Sequence, residues 1–260
     1  MAPTQETNGC SSKIPDGKMV IFSQAQTVES REGWHQKALK DIESRLADPT
    51  FPCVFSRNAY RKKLLRFIFV ADTEQQSMQR LAEGLREYVE LSQDWDQRLD
   101  TAYPLLVVFA PGATDASTVA EYHAFGWQVL QQLHALDPGD WPHGVSRDPE
   151  SDAWSMCFAG MPLFCNMSNP GHRTRRSRDL GDHFVLVVNP RERFDVFAGD
   201  TPSGRKVRAN IRDRIARYDG VPHSPQLGSY GAGALEWRQY GLADENVERS
   251  DRCPFRFREE

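Results

Sequence analysis

The apolar runs of this 260-residue chain are short, and this limits what the chain can fold into. The longest runs, over residues 104–110 and 184–188, have the length of a β-strand, whereas a membrane-spanning helix needs about 20 apolar residues. Other segments repeat apolar residues every three or four positions, as amphipathic helices do. Strand-length runs among such helices predict an α+β fold in a single domain, with a mixed or antiparallel sheet and flanking helices.

The positions of the elements follow from these periods and from the Pro and Gly residues between them. The predicted helices cover residues 29–46, 73–92, 117–136 and 204–218, and Thr73 is the predicted N-cap of the second. The predicted strands cover residues 64–70, 104–110 and 182–189, and a hairpin pairs 154–159 with 163–167. The N-terminal segment is polar and contains Gly and Pro, so we expect a disordered leader over residues 1–20 and a domain over 21–260.

The charge and the cysteine content argue against several classes of protein. A net charge of −4 differs from the basic excess of nucleic-acid-binding proteins, and a mean hydropathy of −0.60 differs from that of membrane proteins. The five cysteines have no regular spacing and the N-terminus has no signal-peptide pattern, so we expect reduced thiols in the cytoplasm. The nucleotide-binding and hydrolase motifs GxGxxG, GxSxG and HExxH are absent from the sequence.

The segment after the predicted hairpin carries the most chemical information. His172 follows a Pro-Gly turn, and four arginines fall within the next six residues. A neutral imidazole can ligate iron and guanidinium groups pair with carboxylates, which together match the iron and the two propionates of a heme. His172 is then the candidate iron ligand, and Arg175, Arg176 and Arg178 are candidate propionate partners. An Arg-rich solvated turn or a phosphate-binding patch would have the same pattern.

A cysteine is the second candidate for the iron ligand. Cys53 lies between apolar residues in the segment Phe51-Pro-Cys-Val-Phe55, and a thiolate beside apolar walls is the ligand that P450-type oxygenases use. The ordinary alternative for such a cysteine is a small core residue. Cys157 and Cys165 fall inside predicted strands, which indicates structural roles.

Several short motifs occur in one order along most of the chain. They are Phe51-Pro-Cys-Val-Phe55, the segment 154–164, Asn169-Pro-Gly-His172 with its arginines, Glu236-Trp-Arg-Gln-Tyr240 and Cys253-Pro-Phe255. This series resembles the YqcI/YcgG family. Characterised members of that family are heme-dependent oxygenases that hydroxylate guanidine nitrogens in D-cycloserine and guanitoxin biosynthesis. The resemblance implies heme b, bound without covalent attachment because CxxCH is absent, and favours His172 over Cys53 as the ligand.

The resemblance also implies a reaction and a substrate. We expect an oxidoreductase, a monooxygenase that N-hydroxylates a guanidine and most naturally L-arginine, in a specialised pathway such as antibiotic biosynthesis. Glu236 with Trp237 and Tyr240 can bind a guanidinium through charge and aromatic contact. Asp152 with Trp154 is a second candidate pair.

The expected partners follow from what the sequence lacks. No flavin or reductase motif is visible, so electrons are expected from a separate reductase or another external donor, or from peroxide. No nucleic-acid or membrane partner is expected, and a homo-oligomer is left open. Two other functions fit the pattern: a heme-binding or heme-trafficking protein without turnover, and a cofactor-free protein whose Arg-rich segment holds an acidic partner.

Overall fold

The computed structural model of the chain describes residues 21–30 and 32–257, so the predicted leader over 1–20 lies outside the described residues. A central sheet has helices on both of its faces. The strands of this sheet are β1 (Phe22–Ser23), β2 (Arg66–Val70), β3 (Leu105–Phe109), β4 (Met156–Phe158), β5 (Met161–Ser168) and β6 (Val185–Pro190).

The sheet is mixed, as the sequence predicts. Its order is β1-β2-β3-β6-β5-β4; β2 and β3 run parallel, and the other neighbouring pairs are antiparallel. The strands β4 and β5 form the predicted hairpin, with Phe158 opposite Met161. The α+β fold with flanking helices is therefore confirmed.

The four longest helices match the predicted ones, with shifts at their starts, and four shorter helices have no counterpart among the predictions. They are α1 (Gln24–Val28), α2 (Gly33–Ala47), α3 (Val54–Arg61), α4 (Gln75–Ser92), α5 (Val119–Leu136), α6 (Glu192–Ala198), α7 (Pro202–Asp219) and α8 (Trp237–Tyr240). The helix predicted from residue 29 begins at Gly33, after the separate helix α1. None of the described helices is both long and apolar enough to cross a membrane.

The start of α4 shows how a local hydrogen bond moves a helix boundary. The sequence predicts Thr73 as the N-cap, but α4 begins at Gln75 with Glu74 as its N-cap. The Asp72 carboxylate accepts a hydrogen bond from the Glu74 N–H at 3.0 Å. This Asx-type turn competes with helical geometry and delays the helix, so the predicted cap is wrong.

Alternate residues of β3 face opposite sides of the sheet, and each side has its own apolar core. Leu105, Val107 and Phe109 pack with α4 and α5, whereas Leu106 and Val108 pack with α2. All five side chains are almost fully buried. Because both faces of the strand are covered, its sequence is a continuous apolar run.

The strand β5 alternates in the same way but meets different surroundings on its two sides. Leu163, Cys165 and Met167 belong to the core that contains α4 and α5. Between them, Phe164 and Asn166 line a cavity. The sheet therefore supplies one wall of the cavity described below.

Gly204→Ala should destabilise the protein. Gly204 lies in the first turn of α7, and a Cβ built there stands 2.1 Å from the Gly199 carbonyl oxygen. This oxygen belongs to the backbone and cannot swing aside, so we expect a loss of about 1–3 kcal/mol in the free energy of unfolding, measured with urea. Gly33→Ala is the control, because a Cβ there meets nothing within 4 Å. Equal stability of the two variants would contradict the clash.

Candidate functional site

A cavity opens between the start of α3, the strand β5 and the helices α6, α7 and α8. Its apolar walls are formed by Phe51, Phe55, Phe164, Phe194, Ile211 and Ile215. Its volume is about 250 Å³, and it is open to solvent. Ligand-binding clefts commonly have about 300–1000 Å³, so a large ligand bound here would extend into the open mouth of the cavity.

Cys53 lines this cavity at the N-terminus of α3, where it is the N-cap residue. Its Sγ accepts a hydrogen bond from the backbone N–H of Ser56 at 3.4 Å, and its side chain is partly exposed. An N–H donor at a helix N-terminus stabilises negative charge on sulfur. The structure therefore places a thiol that can act as a metal ligand or nucleophile in an apolar opening.

Arg178 is a buried cation that lines the same cavity. Its Nη1 donates to the Tyr240 carbonyl at 3.3 Å, and no carboxylate within the described part of the chain forms an ion pair with it. Burial, and then the nearby charge of Arg175, lowers the pKa of the guanidinium to about 10. A buried cation without an anionic partner is costly, and an anionic ligand would offset that cost.

The other two candidate arginines lie outside the cavity. Arg175 is buried and holds the loop after α8: its Nη2 donates to Asn246 Oδ1 at 2.8 Å. Arg176 is exposed, with its guanidinium carbon 4.8 Å from the centre of the Tyr218 ring. Of the three arginines that the sequence indicates, Arg178 alone lines the cavity.

His172 does not line the cavity, and its side chain has no exposed surface. Nδ1 lies 2.7 Å from Asp244 Oδ1, and Nε2 has no hydrogen-bond partner among the described residues. Burial lowers the pKa of the ring and favours its neutral form. Other side chains cover the ring, so an iron atom could reach Nε2 only if they moved; Gly171, Arg173 and Asp244 beside it line a second opening.

Glu236 is a buried carboxyl group that faces the cavity. Its Oε1 accepts hydrogen bonds from Ser155 Oγ at 2.7 Å and from the Tyr240 hydroxyl at 2.6 Å. Burial raises the pKa of this carboxyl to about 7 despite these two donors. Glu236 and Tyr240, which the sequence groups as substrate-binding candidates, are therefore joined to each other by a direct hydrogen bond.

The remaining predicted substrate residues are not brought to the cavity. The side chains of Trp154 and Trp237 are fully buried in the core. The Asp152 carboxylate accepts the Gly233 N–H at 2.8 Å and holds a loop. Sequence reasoning missed Ser155 because a lone serine in a strand carries no signal that it will meet a carboxyl group 81 residues later.

A basic group that the sequence did not single out also lines the cavity. Arg212, on α7, donates through Nη2 to the Leu227 carbonyl at 2.7 Å. Its neighbour Arg191 pairs with Asp195 at 2.8 Å and lies 3.5 Å from the centre of the Tyr230 ring. The cavity wall is therefore apolar, with arginines and the exposed carboxylates of Asp195 and Asp200 among its polar groups and the buried carboxyl of Glu236 inside.

Every residue that lines the cavity lies in the part of the chain that matches a known protein family. The model of the YqcI/YcgG family matches residues 42–256. The chain belongs to the YqcI/YcgG family. It is 66% identical over 238 residues, covering 92% of this chain and 90% of the other, to a Streptomyces lavendulae protein named "Putative N(omega)-hydroxy-L-arginine synthase DcsA".

Two further relatives in the YqcI/YcgG family come from Bacillus subtilis (strain 168). YcgG is 35% identical and YqcI is 32% identical to this chain. The alignments cover 86% and 87% of this chain and 88% and 89% of the relatives. No solved structure matches the chain.

In this YqcI/YcgG protein, three distant segments meet around the cavity: those of Cys53, Arg178 and Glu236. Within residues 21–30 and 32–257, no three His, Cys, Asp or Glu side chains converge as a metal-binding cluster. A heme needs one protein ligand for its iron, apolar walls for its ring and cations for its propionates. The cavity offers each of these three features.

The buried Glu236 carboxyl should make the stability of this YqcI/YcgG protein depend on pH. Its folded-state pKa of about 7 lies above the ordinary value of 4.5. The folded state then holds an extra proton between these values, so stability falls as the pH rises from about 4.5 to about 7 and is level above that. Relative to Glu236→Gln, the wild type should lose about 3 kcal/mol between pH 4 and pH 8, measured by urea unfolding. Parallel pH profiles for the two proteins would show that the carboxyl ionises normally.

Proposed function

We propose that this chain is a heme-dependent monooxygenase that hydroxylates a guanidine nitrogen of L-arginine. The observation that carries the proposal is the cavity, where a cysteine sulfur, a buried cation without an anionic partner and a buried carboxyl face one space. The Streptomyces lavendulae relative bears the name of an N(omega)-hydroxy-L-arginine synthase, which supports both the reaction and the substrate.

The residues of the cavity suit heme b. Aromatic and aliphatic walls match the faces of a porphyrin, and Arg178 with Arg212 can pair with its propionates. Cys53 is the better candidate for the iron ligand, because it lines the cavity whereas the ring of His172 is enclosed elsewhere. The proposal therefore adopts the alternative ligand of the sequence analysis.

Glu236 is the group that would bind the guanidinium. Both of its hydrogen bonds from the protein go to Oε1, which leaves Oε2 for the substrate. A bound guanidinium would favour the ionised form of this carboxyl and form a charge-assisted pair that water cannot weaken. The pKa of about 7 means that a substantial fraction of the free carboxyl is protonated at neutral pH before a cation arrives.

The heme would supply the oxidising power by activating O₂ with external electrons, or by using peroxide. Glu236 orients the guanidine nitrogen between the aromatic walls of the cavity. In the overall reaction an N–H bond becomes N–O–H, and the second oxygen atom leaves as water after uptake of two electrons and two protons. The sequence contains no flavin motif, so the electrons come from a separate reductase.

Replacing Cys53 should disturb the heme more than replacing His172. Cys53→Ser removes the sulfur donor, so the hemin-loaded protein should lose the strongly red-shifted Soret band of a thiolate-ligated ferrous–carbonyl complex. His172→Ala should retain that band, because the ring does not reach the cavity. The opposite result, with the His172 variant losing its heme, would return the ligand role to the histidine.

Glu236→Gln should weaken arginine binding without changing heme content. The substitution keeps the shape of the side chain and removes its charge, so the KM for arginine should rise about tenfold or more. Asp152→Asn is the matched control, since that carboxylate lies outside the cavity, and it should leave KM unchanged. An unchanged KM in the Glu236 variant would place the guanidinium elsewhere. A heme-loaded wild type that neither shifts its spectrum nor turns over with arginine would instead be a heme-binding or heme-trafficking protein.

A further inference from the structure

A basic hollow lies on the surface near the segment that carries Cys53. Arg176, Arg214 and Arg217 line this basic hollow, together with Thr50 and Tyr218. Arg176 and Arg217 are exposed, and neither forms an ion pair with any residue that the structure describes. Two guanidinium groups without an ion-pair partner among the described residues give this concave surface a positive charge.

Few carboxylates oppose this charge. Asp48 lies close enough to Arg176 to feel its charge, but its Oδ1 is already engaged by the N–H of Thr50 at 2.7 Å and by the Thr50 hydroxyl at 2.6 Å. Beside Tyr218, Arg45 is paired with Asp179 at 2.9 Å. The basic hollow thus remains cationic on a chain whose net charge is −4.

Arg214 joins the basic hollow to the Cys53 segment. Its Nη2 donates to the Phe51 carbonyl at 2.8 Å, and its Nε donates to the Pro52 carbonyl at 3.2 Å. Pro52 directly precedes Cys53 in the chain. The floor of the basic hollow is therefore hydrogen-bonded to the peptide that carries the proposed iron ligand.

We infer that the basic hollow is the docking surface for an acidic one-electron carrier protein of the ferredoxin class. This inference rests on the proposed function, because hydroxylation with O₂ consumes two electrons that the chain has no flavin or nucleotide motif to supply. Electron-transfer partners form small, transient interfaces, and complementary charge steers them together. The basic hollow and the cavity share no lining residue, so a carrier bound here need not occupy the cavity.

Charge reversal in the basic hollow tests the inference with binding as the readout. The probe is an acidic plant-type [2Fe–2S] ferredoxin, titrated calorimetrically into heme-loaded protein at low and high salt. Arg176→Glu with Arg217→Glu should weaken binding about tenfold or more and reduce its salt dependence. The control carries the same charge change, Arg86→Glu with Arg252→Glu, at exposed positions on α4 and the C-terminal segment. It should weaken binding less than about threefold.

The outcomes separate this inference from the proposed function. Equal weakening in the two double variants, unchanged affinity in the basic-hollow variant, or a wild type that does not bind the ferredoxin would each overturn the docking surface. Heme content and the arginine-induced spectral shift are measured on the same samples. Their absence from the wild type would instead overturn the proposed function. Loss of heme in the single variant Arg176→Glu would assign that residue to the cofactor and remove it from the basic hollow.

Discussion

The burial of the central strands on both faces is the constraint on which the rest of the structure depends. The strand β3 is covered by α4 and α5 on one side and by α2 on the other. At β5 the first side remains closed, while Phe164 and Asn166 face open space. The helices α6, α7 and α8 surround that space without filling it. The cavity is thus a place where the second helical layer does not close over the sheet.

Charge within this cavity is arranged at a cost to stability. Glu236 is buried and has only neutral hydrogen-bond donors, and Arg178 is buried with a carbonyl as its partner. A pair of buried charges adds little to the free energy of unfolding, whereas a buried charge without a partner lowers it. A ligand that brings an anion to Arg178 and a cation to Glu236 would relieve both. This arrangement is typical of a binding site and is unusual in a core that serves stability alone.

The arginines of the segment after His172 lie in different surroundings and make different contacts. Arg178 turns into the cavity, Arg175 ties down the loop around Asn246, and Arg176 lies over Tyr218 at the surface. The spacing along the chain shows that cations are concentrated here, but the turn and the short helical segment at 176–178 point them in different directions. His172 likewise receives its partner Asp244 from a distant loop.

The sequence by itself determined the α+β class, the hairpin of β4 and β5, the apolar segment around Cys53 and the spacing that puts Glu236 one helical turn from Tyr240. These features depend on local periodicity, turn residues or a spacing of one helical turn, which neighbouring residues decide. Only the tertiary structure decided which candidates share a space, because packing joins Cys53, Arg178 and Glu236 across 183 residues of chain. It also decided that the ring of His172 is enclosed and that Arg214 supports the Cys53 segment. Burial and long-range hydrogen bonds depend on residues that are far apart in the sequence. The spacing of residue types along the chain therefore could not reveal them.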